Sequence, residues 1–346
     1  MSADLTSDIR GRLGIITLDR PKALNALNLA MAQHLDVLLD RWATDPAVDA
    51  VLIRSASERA FCAGGDVRSI GMLPGPEDRQ ALGREFFGAE YRANHRIGTF
   101  PKPFIALMDG ITMGGGLGIS VLGSHRVVGE NLRMAMPETV LGLFPDVGAS
   151  WFLNRCPGAI GRYLALTGAM LGAADALAAG LATHHVRVGA FDALTTALAE
   201  RPSLDRPAVD EVVEAHAAAI GDGTLVERRP VIDRLFEGRD LNAVIERVEG
   251  AADTADWIAA IHATLHRASP TSLRATWRRI LDGERQSLAA VLDDDFRMAV
   301  RMVGRHDFAE GVRAILIDKD QSPIWSPASL AEVTTADIDA LLRPLG

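Results

Sequence analysis

The sequence predicts an α/β layered fold with parallel strand pairing, and three observations carry that prediction. Short apolar runs alternate with helical patterns over roughly the first 200 residues. Two glycine turns, Gly64-Gly65 and Gly114-Gly115-Gly116, each follow such a run. From Gly158 onward the pattern becomes mostly helical. The glycine-aspartate-glycine stretch at 221–223 marks a boundary, so residues 1–222 are expected to form the core and 223–346 a C-terminal helical region.

Taken in order, Gly11–Asp19 reads as a strand closed by Arg20-Pro21. The following loop ends at Asn28, a good helix cap, and Met31, Leu35, Leu38, Leu39 and Trp42 then recur at helical spacing. Asp49–Arg54 is a short apolar run suited to a buried strand, and residues 60–66 form a glycine turn. Glu77–Ile97 reads as a long helix carrying Glu90. Phe104–Met108 is a third strand, ending at a loop from Asp109 to Gly118, and His125–Gly129 is a fourth. His185–Val188 is a short strand candidate, and helices are expected at Val231–Phe236, Ala251–Leu265, Leu273–Leu281 and Leu288–Val303. No internal repeat or low-complexity segment interrupts the chain.

Composition narrows the function. With 48% hydrophobic and 23% charged residues, 346 residues can bury a large core. A net charge of -9 argues against nucleic acid as the main partner, because phosphate binding wants a basic excess. The most apolar long run, Phe104–Leu122, holds Asp109 and five glycines, so no membrane association is expected. The two cysteines, Cys62 and Cys156, form neither a metal spacing nor a disulfide framework, and the first residues are acidic rather than apolar. A cytoplasmic enzyme with reduced thiols is the expectation.

The stretch from Asp109 to Asp146 concentrates the chemistry. Its first half packs glycines where backbone amides must approach a ligand, and its second half places Glu138 and Asp146 among apolar residues. Backbone donors and isolated carboxylates are the parts needed to hold an oxyanion and to move a proton or activate water. An arbitrary triple glycine more often makes a tight turn, and neither a phosphate-loop nor a dinucleotide fingerprint is complete here. The second glycine turn, Gly64-Gly65, shifts the balance, since two turns can each offer an amide to a single carbonyl oxygen. Taken singly, Glu138 suits a helix start, Asp146 a turn cap and Glu90 a surface acid. His184-His185 would point to opposite faces of a strand with no third ligand, so no metal is expected.

Arg20-Pro-Lys-Ala-Leu-Asn-Ala-Leu27, Phe61-Cys-Ala-Gly-Gly-Asp66 and Asp109-Gly-Ile-Thr-Met-Gly-Gly-Gly116 resemble motifs of the crotonase superfamily of enoyl-CoA hydratases and isomerases. Within it, Pro137–Gly148 and His306–Gln321 are similar to signatures of the 3-hydroxyisobutyryl-CoA hydrolases. The likeness runs from about Gly11 to the end and is weakest over about 190–260. It implies a crotonase-like spiral of β-β-α turns, followed by a C-terminal helical region, with acyl-CoA as substrate. It also implies an oxyanion hole from the amides of Gly65 and Gly115, and CoA contacts at Lys22, Ala23, Leu24, Ala63 and Asp66. The first of the two hydratase glutamates falls at Gly118, which can carry no proton, while Asp146 stands where hydratases usually have glycine.

That swap implies hydrolysis of a short 3-hydroxyacyl-CoA thioester, 3-hydroxyisobutyryl-CoA in valine breakdown. Glu138 would attack the carbonyl or act as base for water, with the choice left open. Asp146 would bind the 3-hydroxyl or position the water, and Glu90 would support the acyl pocket. No metal or redox cofactor is expected, CoA arriving with the substrate. A hydratase or double-bond isomerase is the first alternative, a non-catalytic acyl-CoA-binding protein the second, and a homo-oligomer is left open.

Overall fold

The structure is a computed structural model that describes residues 4–345. The chain forms two compact units, each assembled from separate stretches. The first comprises the chain up to Gly65 with Ala89–Ala135 and Met170–Glu227, and the second comprises Asp66–Gly88, Met136–Ala169 and the chain from Arg228 onward.

In the first unit, β1 (Leu5–Arg10), β2 (Leu13–Leu18), β3 (Ala50–Ser55), β5 (Phe104–Met108), β7 (His125–Val128) and β9 (His184–His185) make a six-stranded sheet in the order β1-β2-β3-β5-β7-β9. A second sheet holds β4 (Ala60–Cys62), β6 (Ile111–Met113) and β8 (Arg133–Ala135) in the order β4-β6-β8. Only β1 and β2 pair antiparallel among the strand pairs of the described residues. From β3 onward successive strands alternate between the long and the short sheet, which is the strand pattern of the expected spiral.

The long sheet is covered on both faces, and this explains its unbroken apolar runs. Alternate residues Leu13, Ile15, Leu52, Ile105, Leu107 and Val127 share one core with Leu194, Leu198 and Val209 from helices Phe191–Ala199 and Arg206–His216. Opposite lies helix Leu29–Thr44, capped by Asn28, whose side chain accepts from the Met31 amide. Gly14 makes room for that helix, because a Cβ there would lie 2.8 Å from the Trp42 ring.

The three strands of the short sheet escape sequence reading. Each has three residues, too few to show a period of two, so residues 60–66 and 109–118 read as turns and loops alone. β1 was likewise unread, and the helix expected at Ala251–Leu265 begins at Asp256 and runs to Arg267, a 3-10 turn at Ala252–Thr254 separating it from helix Leu241–Ala251.

The second unit is helical. Helices Pro270–Gly283, Leu288–Met302, His306–Val312 and Ile160–Thr167 bury Leu273, Trp277, Ile280, Met298, Phe308 and Leu164. Among the described residues no helix is long and apolar enough to cross a membrane.

Candidate active site

In the first unit the two glycine turns converge. Gly64 (φ 107°) and Gly114 (φ 47°) occupy the left-handed region, which a side chain would strain. Gly115 opens the short helix Gly115–Gly118, in which the Leu117 and Gly118 amides donate to the Gly114 carbonyl and the Gly115 amide has no partner within the helix. A Cβ added at Gly115 would lie 3.1 Å from the Gly65 nitrogen and collide with Glu90 Oε1. The Gly65 amide, the Gly115 backbone and the Glu90 carboxylate therefore meet at one place. Glu90, on helix Pro76–Gly98, is 2% exposed. The surface acid suggested by its helix alone is thus a buried one.

Asn25 sets the neighbouring loop. It accepts from the Arg20 amide (2.8 Å) and donates to Ser55 Oγ (2.7 Å) and the Phe61 carbonyl (3.1 Å), tying the loop to β3 and β4. Leu24 and Asn25 both have positive φ, 50° and 56°, a strain that these bonds hold in place. The loop then binds the glycine turn: Ala63 donates to the Leu24 carbonyl (3.0 Å) and Leu27 to the Gly64 carbonyl (2.8 Å). Lys22, exposed, and Ala23 lie on the 3-10 turn Pro21–Ala23 of this loop. Leu24 and Ala63 are therefore brought together with the glycine turn. Asp66, in the second unit, caps helix Val67–Gly71 by accepting from the Ser69 amide. Cys62 is no nucleophile, since burial pushes its thiol up to about 12.

The second unit brings together the two carboxylates. Glu138 opens the 3-10 turn Glu138–Leu141, 6% exposed, and Asp146 is 5% exposed. The turn is held closely: Ser269 donates its amide to the Thr139 carbonyl (3.0 Å), and Gly142 (φ 70°) sits where a Cβ would collide with the Asp307 carbonyl. Glu138 Oε2 is buried without a hydrogen-bond partner among the described residues. Burial first, and then the like charge of Asp146, raises the Glu138 carboxyl well above the ordinary glutamate range. A carboxylate so raised is a stronger base than one in water.

A raised folded-state value favours the protonated form, so stability is lost as pH climbs from the ordinary glutamate range through the raised value. Glu138→Gln should therefore gain melting temperature relative to the parent as pH rises upward from the ordinary glutamate range. Melting curves across that rise check this, and a difference independent of pH would contradict it.

Behind Asp146 lies a group that the sequence reading missed. Asp295 Oδ2 accepts from the Gly148 amide at 3.0 Å, and Asp295 Oδ1 accepts from Arg279 Nε at 3.1 Å. Arg279 also donates to Asp294 (3.0 Å) and to the Val291 carbonyl (3.0 Å), and Arg279 and Asp295 are 1% and 0% exposed. The held backbone is strained: Val147, a β-branched residue, has φ 52°, and Gly148 has φ 83°. One signal was present in the sequence. In helix Leu288–Met302, Leu288, Val291, Leu292, Asp295, Met298, Ala299 and Met302 follow one stripe, so Asp295 sits where an apolar residue is expected.

Chemically, the first unit offers two adjacent amides and the second a base of raised affinity for protons beside a second acid. The oxyanion reading makes Gly115→Ala costly, because the new methyl displaces Glu90 and the amide. The expected loss in kcat is about 100- to 1,000-fold, as for removal of a single oxyanion donor. Steady-state rates on a variant with unchanged circular dichroism test it, and near-parental kcat would remove Gly115 from the site.

Comparisons with known proteins identify the family. The model of the enoyl-CoA hydratase/isomerase family matches residues 13–342. The mitochondrial 3-hydroxyisobutyryl-CoA hydrolase of Danio rerio is 42% identical over 343 residues, covering 97% of this chain and 88% of the relative. The enzyme of that name from Homo sapiens is 40% identical over 342 residues, with the same coverage. Among solved structures, a carnitinyl-CoA dehydratase from Mycobacterium thermoresistibile matches with TM-score 0.91 and 37% identity, covering 99% of this chain and 97% of its own. An enoyl-CoA hydratase from Rhodobacter sphaeroides matches with TM-score 0.90 and 39% identity, covering 99% and 98%. With its alternating strands, its paired glycine turns and a family match over nearly its whole length, the chain belongs to the enoyl-CoA hydratase/isomerase family.

Proposed function

We propose that this chain hydrolyses the thioester of 3-hydroxyisobutyryl-CoA to 3-hydroxyisobutyrate and free CoA. The observation that carries the reading is the buried acid pair Glu138 and Asp146, while Gly118, buried at the end of its short helix, supplies no acid. The names of the relatives at about 40% identity supply the substrate.

In this reading the Gly65 and Gly115 amides hold the thioester oxygen and gain strength as it becomes an oxyanion. One such donor contributes about 3–4 kcal/mol. Glu138 acts ionised, by one of two routes. As nucleophile it adds to the acyl carbon, the carbon–sulfur bond breaks, and CoA leaves as a thiolate that takes a proton. Water then cleaves the resulting anhydride and restores the carboxylate. As base it takes a proton from water, whose oxygen adds directly to the carbon; the carbon–sulfur bond then breaks and CoA leaves with that proton, restoring the carboxylate. Label found in Glu138 after a single turnover in heavy-oxygen water establishes the first route with water attacking the glutamyl carbonyl, because the second route puts all the label in the product.

Asp146 accepts from the substrate's 3-hydroxyl or positions the water, and Glu90 lines the acyl pocket. Lys22, Ala23, Leu24, Ala63 and Asp66 contact CoA, with Lys22 on a phosphate. The proposal includes no metal or redox cofactor, and places the enzyme in the cytoplasm, unlike the mitochondrial relatives; cell fractionation decides that point.

A second reading, alkene hydration, is favoured by the names of the two solved neighbours. Free-thiol release from 3-hydroxyisobutyryl-CoA, run beside crotonyl-CoA hydration on the same preparation, discriminates. Rapid release with negligible hydration is expected. Hydration without release would replace the hydrolase reading.

A further inference from the structure

Away from the catalytic acids, the second unit holds a cluster that the activity does not use. Helices Leu241–Ala251 and Asp256–Arg267 pack against each other. His262 and His266, four residues apart, share one face of the second helix, and Glu249 comes from the last turn of the first. Glu249 Oε1 lies 3.3 Å from His266 Nε2, and the two imidazole centroids are 4.3 Å apart. One donor atom from each residue lies within 4.8 Å of the other two.

We propose that Glu249, His262 and His266 bind one divalent transition metal of the zinc class. Ligands about 2.0–2.1 Å from a tetrahedral zinc ion stand roughly 3.4 Å from one another. The present spacing, within 4.8 Å, exceeds that by about 1.4 Å at most, a gap within the reach of side-chain rotation. Two imidazoles and one carboxylate suit zinc, cobalt, nickel or copper, whereas magnesium and calcium want oxygen donors throughout. Three protein ligands leave a fourth position. The same three side chains line a cavity of about 250 Å³, walled by Val248, Leu265 and Leu273, where that position can be filled by water or a small ligand.

The plain alternative is an exposed Glu–His ion pair beside an edge-to-face ring contact, which contributes little to stability. The two differ in consequence, because a metal held by both helices ties them together, and binding to the folded state alone raises the melting temperature.

Isothermal titration of zinc chloride into the full chain, with any affinity tag removed, tests the proposal. One site per chain is expected, and zinc should raise the melting temperature. His262→Ala and His266→Ala should each weaken binding by more than the roughly 10- to 100-fold that outer-shell changes cost, and the double variant should lose the thermal shift. Metal-free CoA release, unchanged in these variants, reports that they fold. As a second readout, cobalt bound to the parent should give visible ligand-field bands that the double variant lacks. Absence of stoichiometric binding overturns the proposal, as does binding of undiminished affinity in the double variant, which would assign the ion to other histidines.

Discussion

Glu138→Gln should lower the rate of CoA release by about 100- to 10,000-fold, the range spanned by a positioned acid or base. The amide keeps the shape of the side chain but can neither attack nor accept a proton, so substrate affinity should change far less than kcat. The parent's kcat/KM should rise with pH through the raised value of the Glu138 carboxyl, because only the ionised form works and both burial and Asp146 oppose ionisation. Asp146→Asn removes the like charge and leaves the burial. The acidic limb of its profile should therefore move to lower pH, even as kcat falls. Stopped-flow thiol detection across the pH range measures both effects. A limb that stays in place in Asp146→Asn would mean that the two acids do not share a field, and the pairing on which the proposed function rests would go with it.

Asp295→Ala should be the most destabilising single change near the site. It strands the Arg279 guanidinium, 1% exposed, with its remaining partners and leaves the Gly148 amide without its acceptor. Breaking a buried pair from one side costs about 3–5 kcal/mol. The backbone at Val147 and Gly148 is held in the left-handed region, which costs of order 1–3 kcal/mol and persists only where the surroundings impose it. Release of that segment should shift Asp146, and a displacement of about 1 Å can cost 100-fold in rate.

Asp295→Asn separates positioning from bulk stability. Its amide oxygen can still accept from Gly148 while the charge facing Arg279 is gone. Burial pushes the Asp295 carboxyl up to about 6, against the pull of Arg279. By sign, its contribution to stability is full below the unfolded value and is lost as pH rises through about 6, so Asn should be tolerated best above that point. Recovery of kcat in the Asn variant but not in Ala, with a stability loss in both at low pH, is the expected pattern. Equal kcat in the two would show that Asp295 supports the fold without placing Asp146. Chemical denaturation and steady-state kinetics on the same samples decide between these outcomes.

Much of this site was legible in the chain. The glycine turns announce themselves because glycine best tolerates φ 107° at Gly64 and the φ 47°, ψ -117° pair at Gly114, and because nothing larger fits at Gly115. β5 is read to the residue, since five consecutive apolar residues between Pro103 and Asp109 have no other comfortable place than a sheet buried on both faces. The short sheet was illegible for the opposite reason: three residues carry no period, and β4, β6 and β8 exist as strands only because they pair with one another. The helix expected at Ala251–Leu265 holds from Asp256 on, and only its start is misplaced, since the 3-10 turn at Ala252–Thr254 has neither glycine nor proline to announce it.

The sequence by itself determined the α/β class, the two glycine turns, and, through resemblance, the family and the identity of the candidate acids. It did so because backbone geometry and apolar periodicity are local properties, written into consecutive residues. Tertiary structure alone decided the rest. It converted Glu90 from a surface acid of an amphipathic helix into a buried one, raised Glu138 by burial beside Asp146, and placed Arg279 and Asp295 behind the Asp146 turn. It also drew Glu249 to within reach of His262 and His266. Desolvation and charge–charge interaction depend on distances between residues far apart in the chain, and those distances exist only after folding.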